Sequence, residues 1–400
     1  MKIFHFDVVN VFKTITLIIL INSKSVFLKE SVITAIDQRG DRLNFTELAV
    51  LLGLPVEEYD VITEDGYILG IYRIPGLLKP PTLLVHGIEL AADSWLLRGH
   101  ASLPIVLAKL NHDLWFANVR GNVYSRRHVH LNPDIDKEFW DFSFHEHGYY
   151  DLATTIDTVL NKTNSLQINA IGYSQGYITV LTSTRPEYNA KINLTIYLAP
   201  IAYLNKLQPP LLYSIAFSPE INVILKKLGM YEFFGYNSQL TVKLRKLCTD
   251  PELSYAACAY GYAFPIAGYD PDQLEPPFYR ITNYYFPVGS SRKNLIHFGQ
   301  IGRTGRLAQY DYGPLKNMAV YNASIPPKYN LTNVRSPVVI MVGRGDKLAT
   351  IENAVALRYQ LPNVKQFVVL PRTEANHLDF IWGRTMADYL YPYILNALGY

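Results

Sequence analysis

The 400-residue sequence predicts an α/β protein in which a mostly parallel central sheet is flanked by helices and interrupted by a mainly helical insertion. Three observations predict it. Short, almost purely apolar runs recur at 82–85, 114–118, 168–172, 192–199, 338–342 and 367–370, and a run without polar alternation suits a strand buried on both faces of a parallel sheet. Segments of helical character lie between several of them, at 151–160, 176–184 and 352–361. Alternating strand and helix stacks helices on the faces of such a sheet. Finally, the alternation breaks from about 203 to 330, where helical pieces, the pairs Pro209-Pro210 and Pro276-Pro277, tyrosine-rich loops and both cysteines are found. That stretch, 203–330, reads as an insertion between two strands, with 26–202 and 331–400 as the core.

Taken in chain order, Lys2 and Lys13 precede the apolar run 15–21, and Asn22, Ser23 and Ser25 follow it, so residues 1–25 read as a signal peptide. The run is far short of the roughly 20 apolar residues a membrane helix needs, and no later stretch reaches that length without a proline or a charge, so no transmembrane segment is expected. Residues 57–62 and 67–74 are β-rich and flank Thr63-Glu64-Asp65-Gly66, whose Asp-Gly pair predicts a hairpin. Five Asn-x-Ser/Thr sequons fit a secreted glycoprotein. Asn193 leads into a predicted buried strand, so the expected acceptors are Asn44, Asn161, Asn322 and Asn330. Cys248 and Cys258 are near enough in sequence to close a short loop. In an oxidising compartment they would pair, and otherwise they would stay as two buried thiols.

Composition excludes several function classes. With 49% hydrophobic and 18% charged residues the chain is neither disordered nor a highly charged polymer. Its 37 lysines and arginines against 34 acids are interspersed without a basic block, so nucleic acid is not an expected partner. His128-Val129-His130 and His145-Glu146-His147 look like ligand clusters, but Tyr149 stands where a His-Glu-x-x-His motif needs its second histidine. No metal and no cofactor is expected.

The chemistry is carried by three separated positions. The apolar run 168–171 leads into Gly172-Tyr173-Ser174-Gln175-Gly176 and then into helical sequence. In that context Gly-x-Ser-x-Gly makes a strained strand-to-helix turn, the glycines admitting the chain and the turn lifting the Ser174 hydroxyl above the sheet. The base and acid of such a nucleophile follow it in the order acid, histidine. His377 alone among the histidines lies beyond residue 297, after the run 367–370, and Asp346 follows the run 338–342 through Gly343-Arg344-Gly345. Asp379 is a rival acid, but two residues from His377 it is too local to orient the ring from a separate strand, and a helix-cap role suits it better. His86-Gly87-Ile88 follows the run 82–85, where an acyl hydrolase places half of its oxyanion hole, so the backbone N–H groups of Ile88 and Gln175 are the expected donors, with Gly87 permitting a tight turn. His86 is expected to bond the loop, and the turn Arg120-Gly121-Asn122 to serve loop geometry.

These residues resemble the metazoan acid lipases, which include gastric, lysosomal and insect digestive members. The resemblance spans nearly the whole mature chain. It runs from Glu58-Tyr59 and Thr63 through Leu69 to His86-Gly87-Ile88, Asn118 through Asn122, Glu138 through Phe144 and Tyr150-Asp151-Leu152, then to Ser174-Gln175-Gly176, Gln309 through Gly313 and Asn376 through Trp382. It implies an α/β-hydrolase fold with a cap domain, hydrolysis of triglycerides or cholesteryl esters, a triad at Ser174, Asp346 and His377, oxyanion donors at Ile88 and Gln175, and a disulfide between Cys248 and Cys258. The sequence departs from that pattern at Tyr173, where a histidine is usual, at Glu89, where an apolar residue is usual, and at Ala267, where the family has a third cysteine. The 76–81 loop is also short.

The expectation is therefore a secreted serine lipase, extracellular or in the gut lumen with a lysosomal destination as the variant, acting on a lipid ester at a lipid–water interface. Phe217, Phe233, Phe234, Phe264 and Phe286 of the insertion would cover the serine and form an acyl pocket. The competing readings are a non-catalytic lipid-binding protein on the same fold and a short-chain carboxylesterase.

Overall fold

The computed structural model describes residues 32–204 and 218–400, so the signal-peptide reading over 1–25 and Phe217 lie outside the described residues. Strands β1 (Glu57–Ile62), β2 (Tyr67–Ile74), β3 (Leu78–Val85), β4 (His112–Ala117), β5 (Arg127–His128), β6 (Ile168–Gln175) and β7 (Ile192–Ile201) precede the insertion. The insertion holds the short ribbon of β8 (Glu232–Phe233) and β9 (Ser290–Ser291), and β10 (Val338–Val342) and β11 (Val364–Val369) follow it. The main sheet is ordered β1-β2-β4-β3-β6-β7-β10-β11, with β5 also on β2. Pairing is antiparallel among β1, β2, β4 and β5 and parallel from β4 through β3 to β11.

The apolar runs do what their composition dictates. Every residue of β4, β6 and β10 is buried. Successive side chains alternate between faces: Leu84, Phe116, Ile171, Tyr173 and Met341 join one core, and Leu83, Val85, Trp115, Ala170 and Ile340 the other. Each such side chain contributes about 1.5–3 kcal/mol by leaving water, so the sheet is held between two cores and its strand ends are fixed points for a site. The expected hairpin forms, with Ile62 opposite Ile68, Gly66 N–H donating to the Thr63 carbonyl at 2.9 Å, and Gly66 at φ +93°.

Three elements differ from expectation. β3 begins at Leu78, so the segment read as a short loop to Pro81 is the irregular start of a strand whose register slips between Leu78 and Thr82. A slipped strand end tolerates prolines that cannot donate a ladder bond. β11 starts at Val364, ahead of 367; it ends the sheet and is only partly buried, which thins its apolar signal. The helix expected at 151–160 is Ala153–Thr163, entered through a π-helical turn over His147–Leu152.

Between β7 and β10 the described insertion carries the helices Pro219–Lys227, Gln239–Cys248, Pro276–Thr282, Arg292–Thr304 and Pro314–Tyr321 and a π-helix over Ser254–Ala263. Cys248 and Cys258 form a disulfide, Cα–Cα 5.6 Å, that ties Gln239–Cys248 to the π-helix. Part of this insertion does not build a satellite core of its own: Cys258, Phe264, Phe278 and Tyr285 bury with Phe380, Trp382 and Tyr173. Among the described residues no helix is long and apolar enough to cross a membrane.

Candidate active site

β6 carries the chain into the turn at Ser174, which sits at φ +62° before the helix Tyr177–Thr184. A left-handed conformation at a non-glycine residue costs on the order of 1 kcal/mol and persists only where its surroundings enforce it. The two glycines expected to relieve the turn contribute unequally. A Cβ at Gly172 would lie 3.2 Å from Ile178 Cδ1, so its absence lets the helix settle on the strand, whereas one at Gly176 would meet nothing closer than 3.6 Å. The strain rests on the serine itself.

Two further loops reach Ser174 from the ends of β10 and β11. His377 Nε2 lies 2.8 Å from Ser174 Oγ, and His377 Nδ1 lies 2.9 Å from Asp346 Oδ2. All three side chains are buried. The remaining Asp346 oxygen, Oδ1, accepts the backbone N–H groups of Leu348 and Ala349, each at 2.8 Å. Asp379 does not touch the ring. It accepts Asn376 N–H at 2.8 Å while Asn376 Oδ1 accepts the N–H groups of Leu378 and Asp379, a reciprocal pair around His377 that fixes the turn. The helix Asp379–Trp382 carries no side-chain cap, so the cap expected of Asp379 is not made, and its carboxyl and Asn376 close the turn before the helix instead. Burial pushes the Asp379 carboxyl well up.

The insertion also grips this turn. The Ala267 carbonyl accepts His377 N–H at 3.0 Å and Lys347 N–H at 3.4 Å, and the Gly268 carbonyl accepts Asn376 Nδ2 at 3.1 Å. Tyr173, which stands where histidine is usual in the resembled family, donates its hydroxyl to the His377 carbonyl at 3.0 Å. Sequence spacing gave no hint of these bonds, since their partners are 80 to 204 residues apart.

On the other side of the serine, a Cβ at Gly87 would come within 3.0 Å of Ser174 Cβ, so close approach is what requires glycine there. The left-handed residue of this loop is Glu89, at φ +55°. His86 is buried and takes the structural part expected of it. Its Nε2 accepts Val119 N–H at 3.3 Å and Asn122 Nδ2 at 3.2 Å, which leaves Nδ1 to donate to the Gly87 carbonyl at 2.7 Å. Burial lowers its pKa to about 4, consistent with a neutral ring. Ile88 follows in the same loop. The Gln175 side chain accepts the Tyr177 hydroxyl and donates to Asn294 Oδ1 at 3.3 Å, so the residue after the serine is tied to the insertion helix Arg292–Thr304.

Other singled-out residues have plain partners. Arg120 is buried over the Tyr67 ring and bonds Asp65 and Asp151, which leaves its turn no free cation for an anion. His128 Nε2 meets the Asp65 carbonyl at 2.9 Å and His145 Nδ1 the Tyr329 hydroxyl at 3.0 Å, while His147 packs against Phe142 and Tyr177. Asn44, Asn161, Asn322 and Asn330 are exposed. Phe264 is buried in the main core, and Phe233 packs edge-on to Phe234. A recess beside the helix after Ser174 is lined instead by Gly176, Ile201, Ala202, Phe298, Ile301 and Leu307.

Known proteins resemble this chain over most of its length. Residues 45–99 match the family model described as a partial alpha/beta-hydrolase lipase region. The chain is 35% identical to Lipase 3 of Drosophila melanogaster over 361 residues, covering 86% of this chain and 90% of that one. It is 32% identical to the gastric triacylglycerol lipase of Homo sapiens over 368 residues, covering 89% and 91%. A solved membrane phospholipase A shares the fold, with a TM-score of 0.50 at 12% identity over 96% of this chain and 98% of that one. At these identities and coverages the chain belongs to the acid lipases, the family of gastric, lysosomal and insect lipases, and is a carboxylic ester hydrolase on an α/β-hydrolase fold.

Proposed function

We propose that the protein is a secreted serine lipase that hydrolyses triglycerides or cholesteryl esters through Ser174, His377 and Asp346, with residues 203–330 forming a cap over the serine. The observation that carries the reading is the unbroken hydrogen-bond chain from Ser174 Oγ to His377 Nε2 at 2.8 Å and from His377 Nδ1 to Asp346 Oδ2 at 2.9 Å. In such a chain His377 takes the serine proton as Ser174 attacks the ester carbonyl, and Asp346 holds the ring in the required tautomer and stabilises the imidazolium. The N–H groups of Ile88 and Gln175 hold the oxyanion, His377 protonates the leaving alcohol, and water then releases the acid from Ser174. The close contact of Gly87 with the serine and the anchoring of Gln175 by Tyr177 and Asn294 support that assignment, because oxyanion donors work only when they are fixed in advance. Secretion is supported by the disulfide and by the exposure of Asn44, Asn161, Asn322 and Asn330, which we read as glycosylated.

Ser174→Ala should lower kcat on triolein and cholesteryl oleate by about 10⁶ and abolish labelling by a fluorophosphonate. Retained turnover would overturn the reading. Wild-type protein that takes up no fluorophosphonate would favour a lipid carrier on the same fold.

A further inference from the structure

The described residues bury seven acids: Glu89, Asp93, Asp113, Asp151, Asp270, Asp346 and Asp379. The six aspartates accept bonds from Arg42, Arg73, Arg120, Arg372, His377 and Asn376 in turn. Glu89 is the exception. Asp93 and Asp379 each leave one buried oxygen unbonded but have the other one bonded, whereas the Glu89 carboxyl makes no hydrogen bond among the described residues: its Oε1 is buried without a partner, the residue is 8% exposed, and its backbone is held at φ +55°. The insertion meets this residue directly: Val288 N–H donates to the Glu89 carbonyl at 3.0 Å. Burial, and then the Glu89 carboxyl, raises the pKa of the Tyr262 phenol, from the π-helix of the insertion, while no charged group among the described residues acts on Glu89 itself. Both a strained φ and an unpaired buried polar atom are unfavourable, and they meet one residue after Ile88.

A carboxyl doing only structural service would have found a cation or an amide, as the aspartates did. Burial pushes this one up to about 8, so around neutrality it is largely the neutral acid, with one O–H to donate and oxygens to accept. Its complement is a hydroxyl. Consecutive Cα atoms are about 3.8 Å apart, so Glu89 stands one residue from the expected oxyanion amide, and Val288 and Tyr262, which meet it, belong to the insertion proposed to cover the serine. The hydrocarbon acyl chain of a glyceride has no polar atom to offer it, whereas a glycerol that is not fully esterified has a hydroxyl. A triglyceride would press hydrocarbon against the unpaired acid.

We infer that Glu89 is a specificity-determining residue that hydrogen-bonds a free hydroxyl on the alcohol part of the substrate, so that the enzyme favours partial glycerides over fully esterified ones. The inference rests on the serine lipase reading, and its test separates the two. Full-chain wild type, Glu89→Leu and Glu89→Gln are compared on 1-oleoylglycerol and on 1-oleoyl-2,3-di-O-methylglycerol, the same ester with its hydroxyls capped, and each protein is also treated with a fluorophosphonate. Wild type should prefer the free-hydroxyl ester by about tenfold or more in kcat/KM, the size of discrimination expected when capping leaves a buried polar group unpaired. Leucine should bring the ratio close to one mainly by raising turnover of the capped ester, and glutamine, whose amide still donates and accepts, should keep most of the preference. A wild-type ratio near one, or an unchanged ratio in Glu89→Leu, overturns the assignment of Glu89. Absence of a fluorophosphonate adduct on wild type would instead overturn the serine reading beneath it. Neither substitution removes a stabilising bond, and the wild-type ratio is decisive even if the leucine variant folds poorly.

Discussion

The loop that carries Asp346 and the loop that carries Glu89 approach the serine from opposite sides, and each buries a carboxyl. Asp346 is met by two backbone N–H groups and the His377 ring, all at 2.8–2.9 Å. Glu89 Oε1 meets none among the described residues. Three donors can share a negative charge, while an unpartnered carboxyl in an apolar setting holds its proton instead. One loop therefore brings a fully bonded carboxyl to the His377 ring, and the other leaves its carboxyl without a partner among the described residues. Asp151 is the intermediate case: it is bonded by buried Arg120, yet desolvation still carries it up to about 6.

The contrast can be broken first at Asp346. Asp346→Asn should lower kcat on a long-chain ester by about 10⁴ with the fold intact, because an amide at Oδ2 favours the wrong imidazole tautomer. A loss below tenfold would return the orienting part to Asp379. The next test is Arg120→Ala, which leaves Asp151 buried without its cation and should cost about 3–5 kcal/mol in urea unfolding. A cost under about 1 kcal/mol would mean that a lone buried carboxyl is tolerated anywhere in this core, and Glu89 would lose its distinction.

The smallest effect concerns pH and stability. The folded-state pKa of Glu89, about 8, lies above the ordinary carboxylate value of 4.5. Between those limits the folded protein holds a proton that the unfolded chain has released, so its stability falls as pH rises, by about 1.4 kcal/mol per pH unit at most. That contribution is complete below the ordinary carboxylate range and gone above about 8. Glu89→Gln removes it. Unfolding midpoints of wild type and Glu89→Gln at several pH values from 5 to 8 should therefore diverge steadily, and parallel curves would show that the carboxyl is paired or hydrated.

What was legible in the sequence is what repeats at short range. Unalternating runs gave β4, β6, β7 and β10, the Asp-Gly pair gave the first hairpin, and strand ends followed by Ser174, Asp346 and His377 gave the three positions that converge. Bonds made across long separations could not be read. Nothing near Ala267 says that its carbonyl holds His377 and Lys347, and nothing near Tyr173 says that its hydroxyl reaches the His377 carbonyl. The requirement for glycine at position 87 was visible, but as a turn; its cause is the serine that the fold brings against it. Glu89 stood out in sequence only as a departure from a familiar pattern, because a left-handed backbone and a missing partner are properties of the folded surroundings.

The carbonyl of Ala267 serves the loops of Asp346 and His377 at once, which constrains how such enzymes can be rebuilt. A graft that exchanged the whole insertion for another, or trimmed it to widen access for bulky esters, would unhitch both loops from a common anchor however carefully the remaining scaffold was kept. Chimeras of this enzyme should have their upstream junction placed before Phe264 and carry the stretch through Asp270 intact, leaving the segments around the disulfide as the exchangeable part.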